Sequence, residues 1–323
     1  MELGRPPYGV APHEQRGRQL NQVSVSTVGE LTAAIGNSVV DKILVAVGTY
    51  ELTSNMCSGS ALCISRAVTI EAEVPGGVVF DAKAGRRVVD IQSGGKAELI
   101  GLSITGGRAK TSWPAENGGG VSVRAGGEAT LTYTNIYENF GWKGGGLVIN
   151  PGAVANMEGC NIFDNSANDY GGGLYVYAGG VMAKMEECNI YRNTVIGPGA
   201  GGGLAISGVA NLKGSNIYQN EVSGSGGGIA VYGTANLDGC SIYQNEATGR
   251  NEGGGLIITR GGVANLESCT IYSNSAANAA GLAIHGSLTL LGSLLADFSG
   301  YIVHVGFSSV IELPSSSPSP PPP

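Results

Sequence analysis

The chain has 323 residues, of which 55 are glycine and only 13% are charged, and its formal net charge at pH 7 is −7. This composition is typical of a turn-rich globular protein, and the lack of any basic run argues against binding to nucleic acid. The sequence has no apolar stretch of about 18 residues, so it predicts no membrane-spanning segment.

The N-terminal part of the chain divides into a polar leader and a cap. Residues 1–22 lack the apolar centre of a secretion signal, and we predict that they form a disordered leader. Apolar residues then recur at helical spacing over 28–35, and a strand-like run follows at 42–46. We therefore predict an N-terminal cap over 23–65, in which a short helix covers the open end of the first strands.

Two cysteines lie in the Gly/Ser-containing loop of this cap. Cys57 and Cys63 are separated by five residues, a spacing that suits a local disulfide bond. Because disulfide bonds persist in oxidising compartments, this pair favours an extracellular or cell-surface location.

A glycine-led phrase then returns at intervals of 25 to 30 residues. Its third glycine is followed each time by Val, Leu or Ile, and falls at Gly120, Gly146, Gly173, Gly203, Gly228 and Gly255. A second phrase, Ile-aromatic-x-Asn, recurs at the same period. Two phrases locked at one period indicate a structural unit that is stacked on itself.

The apolar runs inside each unit are short, alternate with a period of two, and are broken by Gly, Asn, Asp and Ser, which predicts three strands per unit. Only a neighbouring unit can satisfy the backbone edges of such strands. We predict an all-β, right-handed parallel β-helix (solenoid) over residues 66–312, with coils of about 25–30 residues stacked about 4.8 Å apart. A β-propeller would need repeats of about 40 residues. The Pro/Ser-rich segment 313–323 is predicted to be a linker or tail of a longer chain.

Alternation assigns an asparagine column and a cysteine column to the inside of the coils. The first is an asparagine ladder, which we interpret as structural because buried amides can bond one coil to the next: Asn139, Asn165, Asn193, Asn220, Asn245 and Asn274. The second contains Cys160, Cys188, Cys240 and Cys269. We favour buried free thiols, and the alternative is a disulfide bond within each neighbouring pair, which the coil spacing would allow.

An aromatic column follows the inward isoleucines and is therefore predicted to point outward. It consists of Tyr137, Phe163, Tyr191, Tyr218, Tyr243 and Tyr272, with Trp113 and Trp142 in loops near one end. Such rings offer faces and hydroxyl groups to sugar rings or to a protein partner, so these residues are our candidates for ligand binding. The alternative, which we favour, is that the rings stack on one another to cover the turn.

Acidic residues share one turn position on several coils: Glu158, Glu186, Asp238 and Glu267, with Lys213 in the middle coil. Neighbouring carboxylates at coil spacing could hold calcium, so Glu158 and Glu186 are candidate ligands. The alternative, which we favour, is a solvated acidic stripe without an ion. Asp164 and Arg192 occupy another shared position and are predicted to form an exposed ion pair.

The repeat resembles those of pectin-lyase-like parallel β-helix proteins, and most closely those of polymorphic outer membrane proteins, the chlamydial-type surface adhesins. That family pairs Gly-Gly-Ala-aliphatic with Phe-x-x-Asn, and here Gly-Gly-Gly-Leu at 171–174 pairs with Ile-Phe-Asp-Asn at 162–165. Gly173 replaces the alanine and Ile162 replaces the phenylalanine. The resemblance covers about residues 100–285 and implies surface display and adhesion.

These observations predict a non-catalytic surface or extracellular binding module, with a polysaccharide or a cell-surface protein as its partner. We expect a monomer or a part of a larger chain, with no cofactor unless calcium is bound. The first alternative is a polysaccharide lyase or glycoside hydrolase, although the Asn-Thr-Asp, Gly-His-Gly and Arg-Ile-Lys strings of polygalacturonases do not occur. The second alternative is a structural spacer.

Overall fold

Four parallel β-sheets wind around one hydrophobic core in the computed structural model, which describes residues 21–109 and 117–295. Four segments lie outside the described residues: nearly all of the predicted leader, residues 110–116 with Trp113, the predicted coil segment 296–312 and the predicted tail 313–323.

Sheet 1 has eleven strands: Gln22–Val25, Lys42–Val45, Ala67–Ala72, Lys96–Ile100, Glu128–Thr132, Val154–Glu158, Val181–Glu186, Val209–Lys213, Thr234–Asp238, Val263–Glu267 and Ser287–Leu291. Sheet 2 has ten strands: Gly48–Glu51, Val78–Asp81, Leu102–Thr105, Asn135–Tyr137, Asn161–Phe163, Asn189–Tyr191, Asn216–Tyr218, Ser241–Tyr243, Thr270–Tyr272 and Leu294–Leu295.

Sheet 3 has nine strands: Ser60–Ile64, Arg87–Ile91, Val121–Val123, Leu147–Ile149, Leu174–Val176, Leu204–Ile206, Ile229–Val231, Leu256–Ile258 and Leu282–Ile284. Sheet 4 has six strands: Phe140–Lys143, Ser166–Tyr170, Thr194–Val195, Glu221–Val222, Glu246–Glu252 and Ser275–Asn278. A full coil passes through sheets 3, 1, 2 and 4 in turn, so the protein is an all-β parallel solenoid of about nine turns.

Sequence alternation predicted three strands per coil, and the structure adds a fourth, in sheet 4. This strand begins directly after each ladder asparagine, where the sequence is polar and shows little apolar alternation. The strands between Gln22 and Ile64 already belong to sheets 1, 2 and 3, so the stacked sheets begin before the repeats that the sequence makes visible.

The inward ladders form the core as predicted. Equivalent isoleucines pair in register from coil to coil and are buried, among them Ile136, Ile162, Ile190, Ile217, Ile242 and Ile271. Burial of each of these side chains contributes roughly 1.5–3 kcal/mol to stability.

The α-helix Val28–Gly36 lies at the N-terminal end of the stack, as predicted. Thr27 and Glu30 form a capping box at its start. Leu31 and Ile35 are buried and join the core of the first coils. The Arg66 guanidinium donates hydrogen bonds to carbonyl groups at the helix C-terminus, including that of Ile35. The helix therefore seals the open end of the core.

The glycine triplets have a structural explanation in the turn between sheets 4 and 3. The first glycine of a triplet adopts a left-handed conformation, as at Gly171, where φ is +61°. A Cβ atom at the third glycine, Gly173, would lie 3.0 Å from the amide of Asn193. The two repeated phrases are therefore coupled, because the third glycine leaves room for the asparagine ladder.

Candidate functional site

The asparagines of the inner ladder are hydrogen-bonded from coil to coil, and the amide of Asn193 has no capacity left for a ligand. The amide nitrogen of Asn193 donates to the carbonyl groups of Ile162 and Tyr191 and to the side-chain oxygen of Asn220, at 2.9–3.1 Å. Its oxygen accepts from the backbone and side-chain N–H groups of Asn165. An amide has two N–H groups and two lone pairs, and all are used here. This ladder bonds neighbouring coils.

The predicted aromatic ladder forms a continuous stack on the outer side of sheet 2. Neighbouring ring centroids are 4.9–5.0 Å apart and the rings are parallel to within 2–8°. Each of the four inner rings therefore has another ring against both of its faces. A sugar could reach their edges and hydroxyl groups, whereas only the end rings of the stack keep a face free of another ring of the ladder.

Burial raises the pKa values of Tyr137, Tyr191, Tyr218 and Tyr243 in this stack. Their hydroxyl groups therefore stay protonated at neutral pH and can donate hydrogen bonds. Tyr272, at the C-terminal end, is 38% exposed. Trp142 is exposed and lies on the strand Phe140–Lys143 of sheet 4, whereas Trp113 lies outside the described residues.

The acidic stripe runs along the outer surface of sheet 1. Glu158, Glu186, Lys213, Asp238 and Glu267 pair in register on successive strands. Four residues of the stripe also line a groove on this surface: Glu186, Lys213, Asp238 and Glu267.

A lysine ammonium lies between the two candidate calcium ligands. Lys184 Nζ is 2.9 Å from a carboxylate oxygen of Glu186 and 3.7 Å from one of Glu158. A calcium ion bound to both carboxylates would have to displace this ammonium. Calcium binding by Glu158 and Glu186 therefore stays a prediction, and it requires Lys184 to move.

A groove of about 480 Å³ lies on the outer surface of sheet 1 beside this stripe. Half-buried amides of Asn211, Asn236 and Asn265 lie along it, and we call it the amide groove. Charged side chains of both signs line it as well: Lys184, Glu186, Lys213, Asp238 and Glu267.

The amides of the groove form a ladder that differs from the inner one. Asn265 donates to Asn236 at 2.8 Å, Asn236 donates to Asn211 at 2.7 Å, and Asn211 donates to the carbonyl of Ala183 at 3.1 Å. Asn236 thus uses one N–H group and one lone pair within the described part of the chain. One donor and one acceptor remain for a ligand at this coil.

Sequence reasoning did not identify these three asparagines as a site. Each is flanked by an inward alanine and an inward leucine in an Ala-Asn-Leu triplet, at 210–212, 235–237 and 264–266. Alternation alone places such asparagines on the outer surface. The groove that makes them candidates for binding depends on the shape of the stacked sheet.

A similar outer amide ladder lies on sheet 2, beside the aromatic stack. Asn189 donates to Asn161 and accepts from Asn216, both at 3.0 Å. Asn189 therefore has the same bonding as Asn236, but it does not line the amide groove. It is a matched control for the role of that groove.

A cluster of tyrosines on the outer side of sheet 3 was also not predicted. Lys143 Nζ lies 4.8–5.5 Å from the ring centroids of Tyr170, Tyr175 and Tyr177, and 3.6 Å from a carboxylate oxygen of Asp169. The three rings thus surround the ammonium group of Lys143, which is the cation of this cluster. We interpret the cluster as packing between sheets 3 and 4.

Asp164 and Arg192 form an exposed, bidentate ion pair, with N···O distances of 2.8 and 2.7 Å. The pairing of side chains on neighbouring coils agrees with the interpretation from the sequence. Its contribution to stability is about 0–1 kcal/mol, because both groups are in contact with solvent.

The cysteines fall into two sets. Cys57 and Cys63 are joined by a disulfide bond, with their Cα atoms 6.1 Å apart. The four ladder cysteines are buried free thiols: Cys160, Cys188, Cys240 and Cys269. Hydrogen bonding to the thiol of Cys160, followed by burial, raises the pKa of the Cys188 thiol, so it stays protonated.

No protein-family model and no curated protein matches the sequence. In the described ranges, no helix has the length and apolar character that crossing a membrane requires. The structure therefore establishes the solenoid fold without support from a matching family. The resemblance to a particular β-helix family stays a prediction.

Proposed function

We propose that this protein is a non-catalytic binding module whose amide groove holds a linear, neutral polysaccharide. The observation that carries this proposal is the spare donor and acceptor of the groove amides, at a position that recurs on successive coils. A hydroxyl group both donates and accepts hydrogen bonds, so it is the natural partner of such an amide.

The direction of the groove supports a linear ligand. The residues that line it come from five successive strands of sheet 1, from Val181–Glu186 to Ser287–Leu291. Four spacings of about 4.8 Å give a length of about 19 Å along the solenoid axis. A polymer with hydroxyl groups at regular intervals can meet several equivalent amides at once.

The charges around the groove favour a neutral ligand. Lys184 is paired with Glu186 at 2.9 Å, and Lys213 lies 4.0 Å from Asp238. A polyanion would have to break these pairs, and it would also approach a chain whose net charge is −7. A neutral polysaccharide leaves the pairs in place.

The position of the groove disfavours an extended peptide that would add a strand to a sheet. The central strands of sheet 1 are paired with a neighbour on both sides, so they have no free backbone edge for strand addition. Recognition in the groove has to use side chains, and polyhydroxylated ligands suit the ones present.

We also propose that the module acts outside the cell or at its surface, in adhesion. The Cys57–Cys63 disulfide bond supports an oxidising compartment. The resemblance of the repeats to those of polymorphic outer membrane proteins supports a role in surface display.

A binding screen with single-residue variants tests the proposal. Immobilised cellulose, xylan and mannan serve as neutral probes, with polygalacturonate as the acidic comparison, each with and without calcium. Asn236→Ala removes one amide that contacts the ligand, so we expect affinity to fall by about 2- to 10-fold. Asn189→Ala is the matched control and should bind as the wild type does.

Three results would contradict the proposal. Binding to none of the neutral polymers would remove it. Loss of binding in Tyr218→Phe, with Asn236→Ala unaffected, would move the site to the aromatic ladder of sheet 2. Release of reducing or unsaturated ends from any polymer would show catalysis and favour the lyase or hydrolase alternative.

A further inference from the structure

One strand of sheet 1 is longer than its neighbours. Val181–Glu186 has six residues, whereas Val154–Glu158 before it and Val209–Lys213 after it have five. The register shifts on both sides of this strand, and Ala183 and Lys184 are exposed in succession. The strand thus contains a β-bulge, in which two residues oppose one on the partner strand.

The bulge places a lysine where the amide ladder would continue. Lys184 pairs in register with Asn156, so it stands between that residue and the ladder that starts at Asn211. The amide of Asn211 donates to the carbonyl of Ala183 because no asparagine precedes it on the neighbouring strand. The ladder of the groove therefore ends at the bulge.

The lysine side chain also ends the groove itself. Its ammonium reaches Glu186 and Glu158, on two successive strands, and thereby lies across the outer surface of the sheet. These carboxylates raise the pKa of Lys184, which stays charged. The groove is lined by residues from Ala183 to Leu291, and none of its lining residues comes from 154–158.

We propose that the bulge at Ala183 and Lys184 is a stop that limits how many sugar units the groove can hold. This inference rests on the proposed binding of a polysaccharide. Without the bulge, and with asparagine at position 184, the ladder would run on to Asn156 and gain two coils, or about 10 Å. The wild-type site should therefore discriminate ligands by length, and its affinity should stop rising once the three amides are filled.

The test measures affinity against ligand length. Cello-, xylo- and manno-oligosaccharides from disaccharide to octasaccharide are titrated against the wild-type chain and against a variant that lacks Ala183 and carries Lys184→Asn. For the wild type, we expect affinity to reach a plateau within the series. For the variant, we expect affinity to keep rising beyond that length, by about 2- to 10-fold for each added amide.

Two controls separate the stop from other effects. Lys96→Asn removes a lysine of sheet 1 that lies outside the groove and keeps the bulge, so its plateau should lie at the wild-type length. A second design inserts an alanine between Ala235 and Asn236 and adds Asn236→Lys, which moves the stop toward the C-terminus and should shorten the plateau length. This design tests the idea even where the deletion variant does not fold.

The outcomes distinguish the two proposals. If the wild type binds no oligosaccharide, the proposed function fails and the stop fails with it. If the wild type binds but the plateau length is the same in every folded variant, the stop alone is overturned.

Discussion

An asparagine amide has two different roles in this protein, according to the side of the strand that it occupies. Asn193 lies inside the coil and has all its hydrogen-bonding groups satisfied, whereas Asn189 and Asn236 lie outside with part of their capacity open. A buried amide is needed for stability because its removal leaves several backbone groups unpaired. An outer amide is free to serve in binding.

The contrast between inner and outer amides predicts unequal effects on stability. Asn193→Ala leaves carbonyl and N–H groups of the neighbouring coils without partners, so we expect a loss of about 2–4 kcal/mol in the free energy of unfolding. Asn189 lies four residues before Asn193 in the sequence. Asn189→Ala leaves the former partners of the amide in contact with water, so it should lower the free energy of unfolding by less than about 1 kcal/mol. Urea denaturation followed by circular dichroism measures both. Equal losses would refute the distinction.

At the scale of elements, two features interrupt the repetition: the helix at the start of the stack and the bulge in sheet 1. The helix seals the first coil, since Leu31 and Ile35 join the core. The bulge breaks the groove's amide ladder at Lys184. Both features are local departures from the strand pattern. The helix marks the end of the core, and the bulge marks the end of the amide ladder, whereas the repeat by itself has no end.

The helix cap gives the prediction at this scale. The Thr27 hydroxyl accepts a hydrogen bond from the Glu30 N–H group, and the Glu30 carboxylate accepts one from the Thr27 N–H group. Thr27→Ala removes the first bond and should lower the unfolding free energy by about 1 kcal/mol. Thr27→Ser keeps the hydroxyl group and should therefore retain most of the stabilisation that the cap provides. Hydrogen exchange of the helix amides reads the effect directly, and protection unchanged in Thr27→Ala would contradict this view of the cap.

At the scale of the whole molecule, stacking repeats every side-chain environment many times. Burial raises the pKa values of tyrosines on several sheets: Tyr50, Tyr137, Tyr175, Tyr177, Tyr191, Tyr218, Tyr232 and Tyr243. A tyrosine in the unfolded chain ionises near pH 10. Many buried or partly buried tyrosines therefore share one response to alkaline pH.

The sign of that response follows from proton binding. A raised pKa in the folded state means that the folded chain holds its tyrosine protons more tightly than the unfolded chain. These groups leave stability constant below about pH 10 and decrease it as the pH rises further. We expect tyrosinate absorbance to appear at a higher pH in the native protein than in urea, together with a falling denaturation midpoint. Titration curves that coincide for the native and the urea-unfolded protein would contradict the raised pKa values.

Much of the fold follows from the sequence itself. The alternation around Ile162 and its equivalents, and the spacing of the glycine triplets, determine the coil and its inward ladders, because both signals are local and are repeated many times. The inner asparagines and the buried thiols follow from the same register. The helix was predictable from apolar spacing at Leu31 and Ile35.

Only the tertiary structure decided what each outer surface can do. Whether the ring of Tyr218 offers a face or an edge, and whether the amide of Asn236 lies in a groove, depends on contacts between residues about 25 to 30 positions apart. The bulge at Ala183 inserts one extra residue into the strand. In the sequence, the resulting break in alternation looks the same as a turn. Alternation predicts which side of a strand a residue occupies. The shape of the outer surface depends on how the coils stack.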